Sequence, residues 1–437
     1  MSWEKKTLDK MGRVSRGKSK HRSRNDPALF NGKYPFIQTA DVKNANFYIT
    51  EYSQTYNEVG LRQSKIWKAG TLCITIAANI ADTGILGIDA CFPDSIMGFI
   101  PYEGIADVRF VKYCFDILQR DCQKISQGAT QDNLSWEKLS TIKFPCPKIE
   151  TQKKIADILS AYDDLIENNQ KQIKLLEEAA QRLYKEWFVD LHFPGHESTP
   201  ITDGIPQGWK KEKIDDVYDI KYGKTLPTTK ISGNGEYPVY GANGVIGYYN
   251  QCNYIDYVTL ITSRGNGSGD VSRTHHKKAF ITNNSFIVNP KESFQHCKLP
   301  FTYLLFLDLD FRAIRTGSAQ PQLTNTSIST LNLLMPSKEI VLNFIEKTSA
   351  IFEKIEVLYQ SISNAIEARD RLLPKLMNGE IEVAVNKQET VMVDKFENIR
   401  KHWQNVPYDE DLPLAARSTG DISEETLEKL KEIAEEE

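Results

Sequence analysis

The feature that most constrains this chain is that its plan is written twice. Trp3 recurs as Trp209, and the turn Val14-Ser15-Arg16-Gly17-Lys18 recurs as Ile220-Lys221-Tyr222-Gly223-Lys224, both at an offset of 206. Tyr34-Pro35 matches Tyr237-Pro238 at 203, whereas Gly128-Ala129-Thr130-Gln131 answers Gly317-Ser318-Ala319-Gln320 and Ser140-Thr141 answers Ser329-Thr330, both at 189. Order is kept while the middle has shrunk. Self-similarity on this scale predicts two copies of one domain, and 437 residues at about 150 per domain leave room for them.

Each copy then switches from turn-rich sequence to a long helical pattern, after Pro147 and after Pro336. In the first pattern Ile155, Ile158, Tyr162, Leu165, Ile166, Ile173, Leu176, Ala180, Leu183 and Trp187 follow a spacing of three and four. In the second, Phe344, Thr348, Ile351, Ile355, Leu358, Ile362, Ile366, Leu372 and Leu376 do the same. That is the spacing of a coiled-coil seam. Each pattern predicts a helix about 55 Å long, too long for the core of an ordinary domain. Two such helices, each closing a similar domain, predict an antiparallel pair within the chain, with the domains at opposite ends about a pseudo-twofold axis.

Before each helix the sequence is mixed, with β-rich runs such as Thr71–Ile76 and Tyr257–Thr262 between Gly, Asn and Pro. The fold class expected is therefore α/β (α+β). The boundaries read as a first domain 1–147, a first long helix 148–189, a linker 190–208 with three prolines and three glycines, a second domain 209–336, a second long helix 337–383 and an extension 384–437.

Charge separates that extension from the rest. Residues 384–437 hold 7 Lys/Arg and 14 Asp/Glu, against 54 and 58 in the whole chain, so the tail is −7 and the body +3. Asp421 and Glu424 there resemble a capping box. The preferred reading is a solubilising extension, since acidic runs are usually solvated; contact with a partner and mimicry of DNA charge are the alternatives. No stretch approaches the roughly 20 apolar residues of a membrane span, and the opening MSWEKKTLDK lacks an apolar signal core. A cytoplasmic location is the expectation. The seven cysteines (73, 91, 114, 122, 146, 252 and 297) are scattered without a C-x-x-C and suggest neither a disulfide framework nor zinc.

No phosphate loop, H-E-x-x-H, G-x-S-x-G or N/D-P-P-Y/F of an amino-methyltransferase is present. Gly265-Asn266-Gly267-Ser268-Gly269 lacks the G-x-G-x-x-G spacing that opens a dinucleotide-binding helix. Basic loops stand out instead. Arg13, Arg16, Lys18, Lys20 and Arg22 fall in an acid-free run, and the second copy has Lys221, Tyr222, Lys224 and the stretch Arg264 to Lys278, with Arg273, His275 and His276 inside it. Such runs suit phosphates, because each one neutralised releases condensed counterions; a solvated surface is the bland alternative. Gln131 and Asn133, then Asn243, Asn266, Ser268, Ser318 and Gln320, lie beside glycines. Amides can bond base edges, although turns favour the same residues.

Two segments resemble a known family. Phe144-Pro145-Cys146-Pro147-Lys148-Ile149-Glu150-Thr151-Gln152-Lys153-Lys154-Ile155-Ala156-Asp157-Ile158-Leu159 is similar to the proximal conserved region of the DNA specificity subunits of type I restriction-modification systems. Arg371-Leu372-Leu373-Pro374-Lys375-Leu376-Met377-Asn378-Gly379-Glu380-Ile381 is similar to their distal one, and the two-half layout covers about residues 1 to 383. The resemblance implies that each half is a target recognition domain for one part of a bipartite, asymmetric DNA site. It implies that the helices set the spacer and bind two modification subunits, which methylate adenine at N6 with S-adenosylmethionine. Two ATP- and magnesium-dependent restriction subunits would complete the complex, and this chain would be no enzyme and hold no cofactor or metal of its own. Apolar residues left on the helices, Ile158, Tyr162, Leu176, Trp187, Phe188, Leu372 and Leu376, are the candidates for docking those partners.

Two other classes stay open at this stage. A self-contained nuclease would need carboxylates around a metal, with Glu103, Asp308 and Asp310 as candidates, though Leu307, Leu309 and Phe311 alternate with the aspartates as in a strand or edge turn. A coiled-coil scaffold unrelated to DNA is the other.

Overall fold

The computed structural model of the chain describes residues 3–20, 26–76, 82–125, 136–317 and 321–383. The duplication read in the sequence reappears in the order of the strands. In the first half, Lys5–Thr7 pairs with Lys143–Pro145 and so joins the start of the domain to its end. One helical turn, Leu8–Met11, leads into a five-stranded sheet ordered Gly12–Arg16, Ile96–Pro101, Leu72–Thr75, Thr83–Leu86, Tyr48–Ile49. A second sheet is ordered Gln54–Tyr56, Phe30–Phe36, Ala90–Cys91, Ile66–Trp67.

The second half repeats this with Lys210–Lys213 on Asn332–Met335, the turn Ile214–Val217, and a sheet ordered Tyr218–Tyr222, Ser285–Pro290, Thr259–Thr262, Val271–Arg273. Its companion sheet is ordered Gly244–Tyr249, Tyr237–Gly241, Lys278–Ile281, Tyr254–Ile255. Even the parallel pairing within the second sheet of each half recurs, Phe36 beside Cys91 and Val239 beside Phe280. The first copy is longer because it alone inserts the helix Thr39–Asn44 and the strand Tyr48–Ile49. The central strands Leu72–Thr75 and Thr259–Thr262 are buried throughout, as β-branched runs covered on both faces must be.

Of the aspartates weighed for a nuclease, Asp310 opens a turn, one of the two settings expected, and Asp308 lies in neither. Leu299–Asp308 is a helix, not a strand. Its residues Phe301 to Phe306 are all buried, and a helix apolar all round shows no 3.6-residue period to betray it. Glu103 belongs to the other domain, and among the described residues no group of three His, Cys, Asp or Glu is placed to hold a metal.

The long helices are Ile149–Tyr184, of 36 residues, and Lys338–Met377, of 40. They run antiparallel: Trp187 meets Phe344, Asn169 donates to the Ser361 hydroxyl at 2.9 Å, and Arg369 pairs with Asp163 at 2.5 Å. Ile166, Ile173, Ile355, Leu358, Ile362 and Ala365 form the seam between them. Leu165 and Ile366, both expected in that seam, are 42% and 38% exposed, because an apolar stripe wider than a two-helix contact leaves residues at its margin. No described helix is long and apolar enough to cross a membrane.

Each end of the helix pair is built into one domain. Ile155, Leu159, Leu373, Leu376 and Met377 join Leu8, Phe110 and Phe144 in one core; Tyr184, Trp187, Phe188, Val341 and Phe344 join Trp209, Phe301 and Leu333 in another. A π-helical turn, Lys185–Val189, lets the consecutive Trp187 and Phe188 both face inward. There Trp187 lies 5.5 Å from Phe344, and Phe188 lies 5.2 Å from Phe301. The expectation that Trp187, Phe188 and Leu376 dock partners is therefore corrected, since all three are core. Ile158 and Leu372 are half-buried against the first core, Tyr162 and Leu176 against the seam. Even the linker is ordered, with Phe193 buried 5.2 Å from Trp209 and the hairpin Ile201–Thr202 on Ile205–Pro206.

Candidate nucleic-acid interface

In the second domain four loops are stitched into one edge. The Gly223 amide donates to Ser285 O at 3.0 Å, the Lys224 amide to Ile281 O at 2.9 Å, and the Asn283 amide donates back to Lys224 O at 3.1 Å. The Thr262 hydroxyl donates to Ala242 O at 2.7 Å, and the Ser285 hydroxyl to Gly241 O at 3.2 Å, which holds the hairpin turn against this knot. The glycine-rich loop is tied in through the Ser263 amide to Asn284 O and the Gly265 amide to Pro321 O. With the backbones satisfied internally, the side chains of Lys224, Asn243, Arg264 and Asn266 are left exposed together.

Tyr222 is exposed along this edge, its ring 4.1 Å from that of Phe286. Lys221 is exposed but already paired with Asp219 at 2.5 Å. Two expectations fail here. Ser268 is fully buried and its hydroxyl donates to Ser263 O at 3.2 Å, so it shapes the loop and presents nothing outward. The stretch Arg264 to Lys278 is not one basic face either, because Arg273 is 2% exposed and turned toward the second long helix. Arg273 ends the strand Val271–Arg273, the last in its sheet's order.

The first domain repeats the device. The Gly17 amide donates to Ile96 O at 2.8 Å and the Lys18 amide to Phe92 O at 3.1 Å, while the Ser64 hydroxyl donates to Lys18 O at 2.8 Å. Arg13, Arg16, Lys18 and Lys20 are all exposed. Arg13 and Arg16 are three residues apart on one strand, so they leave it on opposite faces. Arg22, Gln131, Asn133, Ser318 and Gln320 lie outside the described residues.

The sequence reading passed over three exposed residues. Lys65 is exposed, with its ammonium 3.8 Å from the centroid of the Trp67 ring, and partial burial, then the neighbouring Arg13, lower its pKa. The pairing of Lys65 with Trp67 two residues on is a signal, since i and i+2 share a strand face; its proximity to Arg13 arises only where one sheet packs on the other, with Trp67 against Gly98. Val245 and Ile246, 43% and 48% exposed, follow Asn243 at the hairpin turn. Among the described residues no carboxylate forms an ion pair with Arg13, Arg16, Lys18, Lys20, Lys65, Lys224 or Arg264. Like charges gathered without counterions suit a polyanion, whose own condensed ions are released on contact.

Known proteins share this organisation. The family model described as the type I restriction modification DNA specificity domain matches residues 1–178 and 206–369, one match in each half. The specificity subunit of the type I restriction enzyme MjaIX from Methanocaldococcus jannaschii is 26% identical over 413 residues, spanning 87% of this chain and 94% of that one. The HindI specificity subunit from Haemophilus influenzae is 26% identical over 445 residues, spanning 79% and 94%. The crystal structure of a type I restriction-modification S subunit from M. genitalium, 16% identical, superimposes with a TM-score of 0.51 over 88% of this chain and 97% of that one, and so shares the fold.

Proposed function

The chain belongs to the type I restriction modification DNA specificity family, and from that premise we propose that it is the non-catalytic subunit that selects the DNA site of such a complex. Each domain reads one half of a bipartite, asymmetric sequence. The observation that carries this reading is the pair of duplicated domains built onto opposite ends of one antiparallel helix pair, each with an exposed Gly-Lys turn whose lysine, Lys18 or Lys224, pairs with no carboxylate among the described residues. Phosphate contacts by Arg13, Arg16, Lys18, Lys20, Lys65, Lys224 and Arg264 would position the duplex, and Asn243 and Asn266 would read base edges.

The partners in this reading are two modification subunits, which bring S-adenosylmethionine and methylate adenine, and two restriction subunits, which bring ATP and magnesium. Their docking surface is the exposed face of the helix pair. The antiparallel register that joins Asn169 to Ser361 sets Leu175 near the level of Val357. Both point away from the seam and are exposed, by 65% and 61%. They replace Trp187, Phe188 and Leu376 as the apolar residues free to meet a partner.

The test is a genome-wide map of adenine methylation in the host with the gene intact and deleted. Loss at one split motif, two half-sites around a fixed unspecified spacer, supports the reading and reports the bases. Loss at a continuous motif, or at none while the modification subunits are expressed, overturns it.

A further inference from the structure

The buried part of the Arg264–Lys278 stretch has a different use from its exposed part. Arg273 pairs with Glu356 of the second long helix, and its guanidinium lies 5.0 Å from the ring of Phe352 and 5.7 Å from that of Tyr303. His275 stacks on Tyr359 at 3.6 Å between ring centroids, with its Nδ1 3.6 Å from Glu356. The Tyr240 hydroxyl accepts the His275 amide at 2.8 Å and bonds the His276 ring at 2.9 Å, which ties this corner back to the strand Tyr237–Gly241. From the first long helix comes Glu177, whose carboxyl is pushed up by burial despite the nearby Arg273. The second domain and both helices thus converge on one charged cluster.

Stability does not explain it. Among the described residues Arg273 Nε and Nη2 and Glu356 Oε2 are buried and meet no hydrogen-bonding group, and replacing a buried ion pair with apolar residues of similar volume is often neutral or stabilising. In some proteins a buried ion pair is retained because it fixes one geometry among packings of similar energy. The first domain is tied to the helices by other residues: the Tyr113 hydroxyl donates to Asp163 at 2.5 Å, and Arg369 pairs with the same carboxylate.

We propose that the Arg273–Glu356 pair, with His275 stacked on Tyr359, is a positioning device that fixes the second domain's orientation on the helix pair and so selects a single spacer between the half-sites. The helices set the gross distance, but the spacer is counted in base pairs. At 10–10.5 base pairs per turn, one added base pair moves a half-site by about 3.4 Å and rotates it by roughly 35°. Excluding it requires the domain to be held more tightly than that, which a long helix pair alone does not do.

The proposal rests on the bipartite reading above, and the test separates the two. The full chain, wild type or Arg273→Met/Glu356→Met, is expressed with its modification subunits in a host lacking the gene, and adenine methylation is mapped. The expected result is that the variant keeps the bases of both half-sites and gains methylation at spacers one base pair longer or shorter. A variant that folds, judged by its thermal transition, and methylates only the wild-type spacer overturns the proposal, as does a change of bases in either half. Should the double variant not fold, Tyr359→Leu, which removes the stack and leaves the ion pair, carries the same expectation of new spacers and the same refutation. If the wild type methylates no split motif, the functional reading itself falls.

Discussion

Gly17 and Gly223 hold the same place in the two halves, and the reason is steric. A Cβ on Gly17 would stand 2.2 Å from Pro93 O, and one on Gly223 would stand 2.3 Å from Thr282 O. The Gly-Lys turn is therefore a point of close backbone approach that fixes where its lysine emerges. Gly223→Ala is expected to cost about 1–3 kcal/mol of stability through overpacking, read from denaturant unfolding. At the exposed residues the expectations concern DNA. Lys65→Gln should lower affinity for any duplex and flatten the slope of log K against log salt by about 0.9, the share of one phosphate; a slope equal to wild type would remove Lys65 from the interface. Asn243→Ala should change base preference at one position of one half-site, worth about 1–3 kcal/mol of discrimination. A uniform loss across sequences would make it a backbone contact instead. Lysines on turns could be named from the sequence, but whether a polar residue faces out could not: Ser268 and Arg273 lie in the same stretch as exposed Arg264, Asn266 and Lys277 and are buried.

Among the elements, the helix pair was the most legible, because a period of three and four sustained over ten turns has few alternative explanations. Its seam admits a direct check. Ile355 is fully buried between the helices, and Ile355→Ala is expected to cost about 2–5 kcal/mol, measured by thermal or denaturant unfolding. Leu175→Asp and Val357→Asp, on the exposed face, should leave stability within about 0.5 kcal/mol and reduce co-purification of the modification subunits. Undiminished co-purification would move the docking surface elsewhere. The period could not say which apolar positions serve the partner helix, which serve a domain core and which are left over. Trp187 and Phe188 continue the stripe yet belong to the second domain, since a π-helical turn rotates them inward. Leu299–Asp308 was illegible for the opposite reason, having no polar face at all.

For the whole molecule, the arrangement joins both domains to both helices, so neither domain's core is complete without residues from the helix that closes the other half. The acidic extension after Val383 lies outside the described residues. Truncation there is expected to leave DNA affinity and assembly unchanged, by salt titration and by co-purification; a change in either would give the extension a part in binding. The sequence by itself determined that there are two copies of one domain, two long helices and basic Gly-Lys turns, because duplication, helical period and charge are local or repeating properties of the chain. Only the tertiary structure decided which charges face solvent and which residues complete each core. Burial depends on contacts between segments as far apart as Arg273 and Glu356 or Asp163 and Arg369, and no spacing along the chain encodes those.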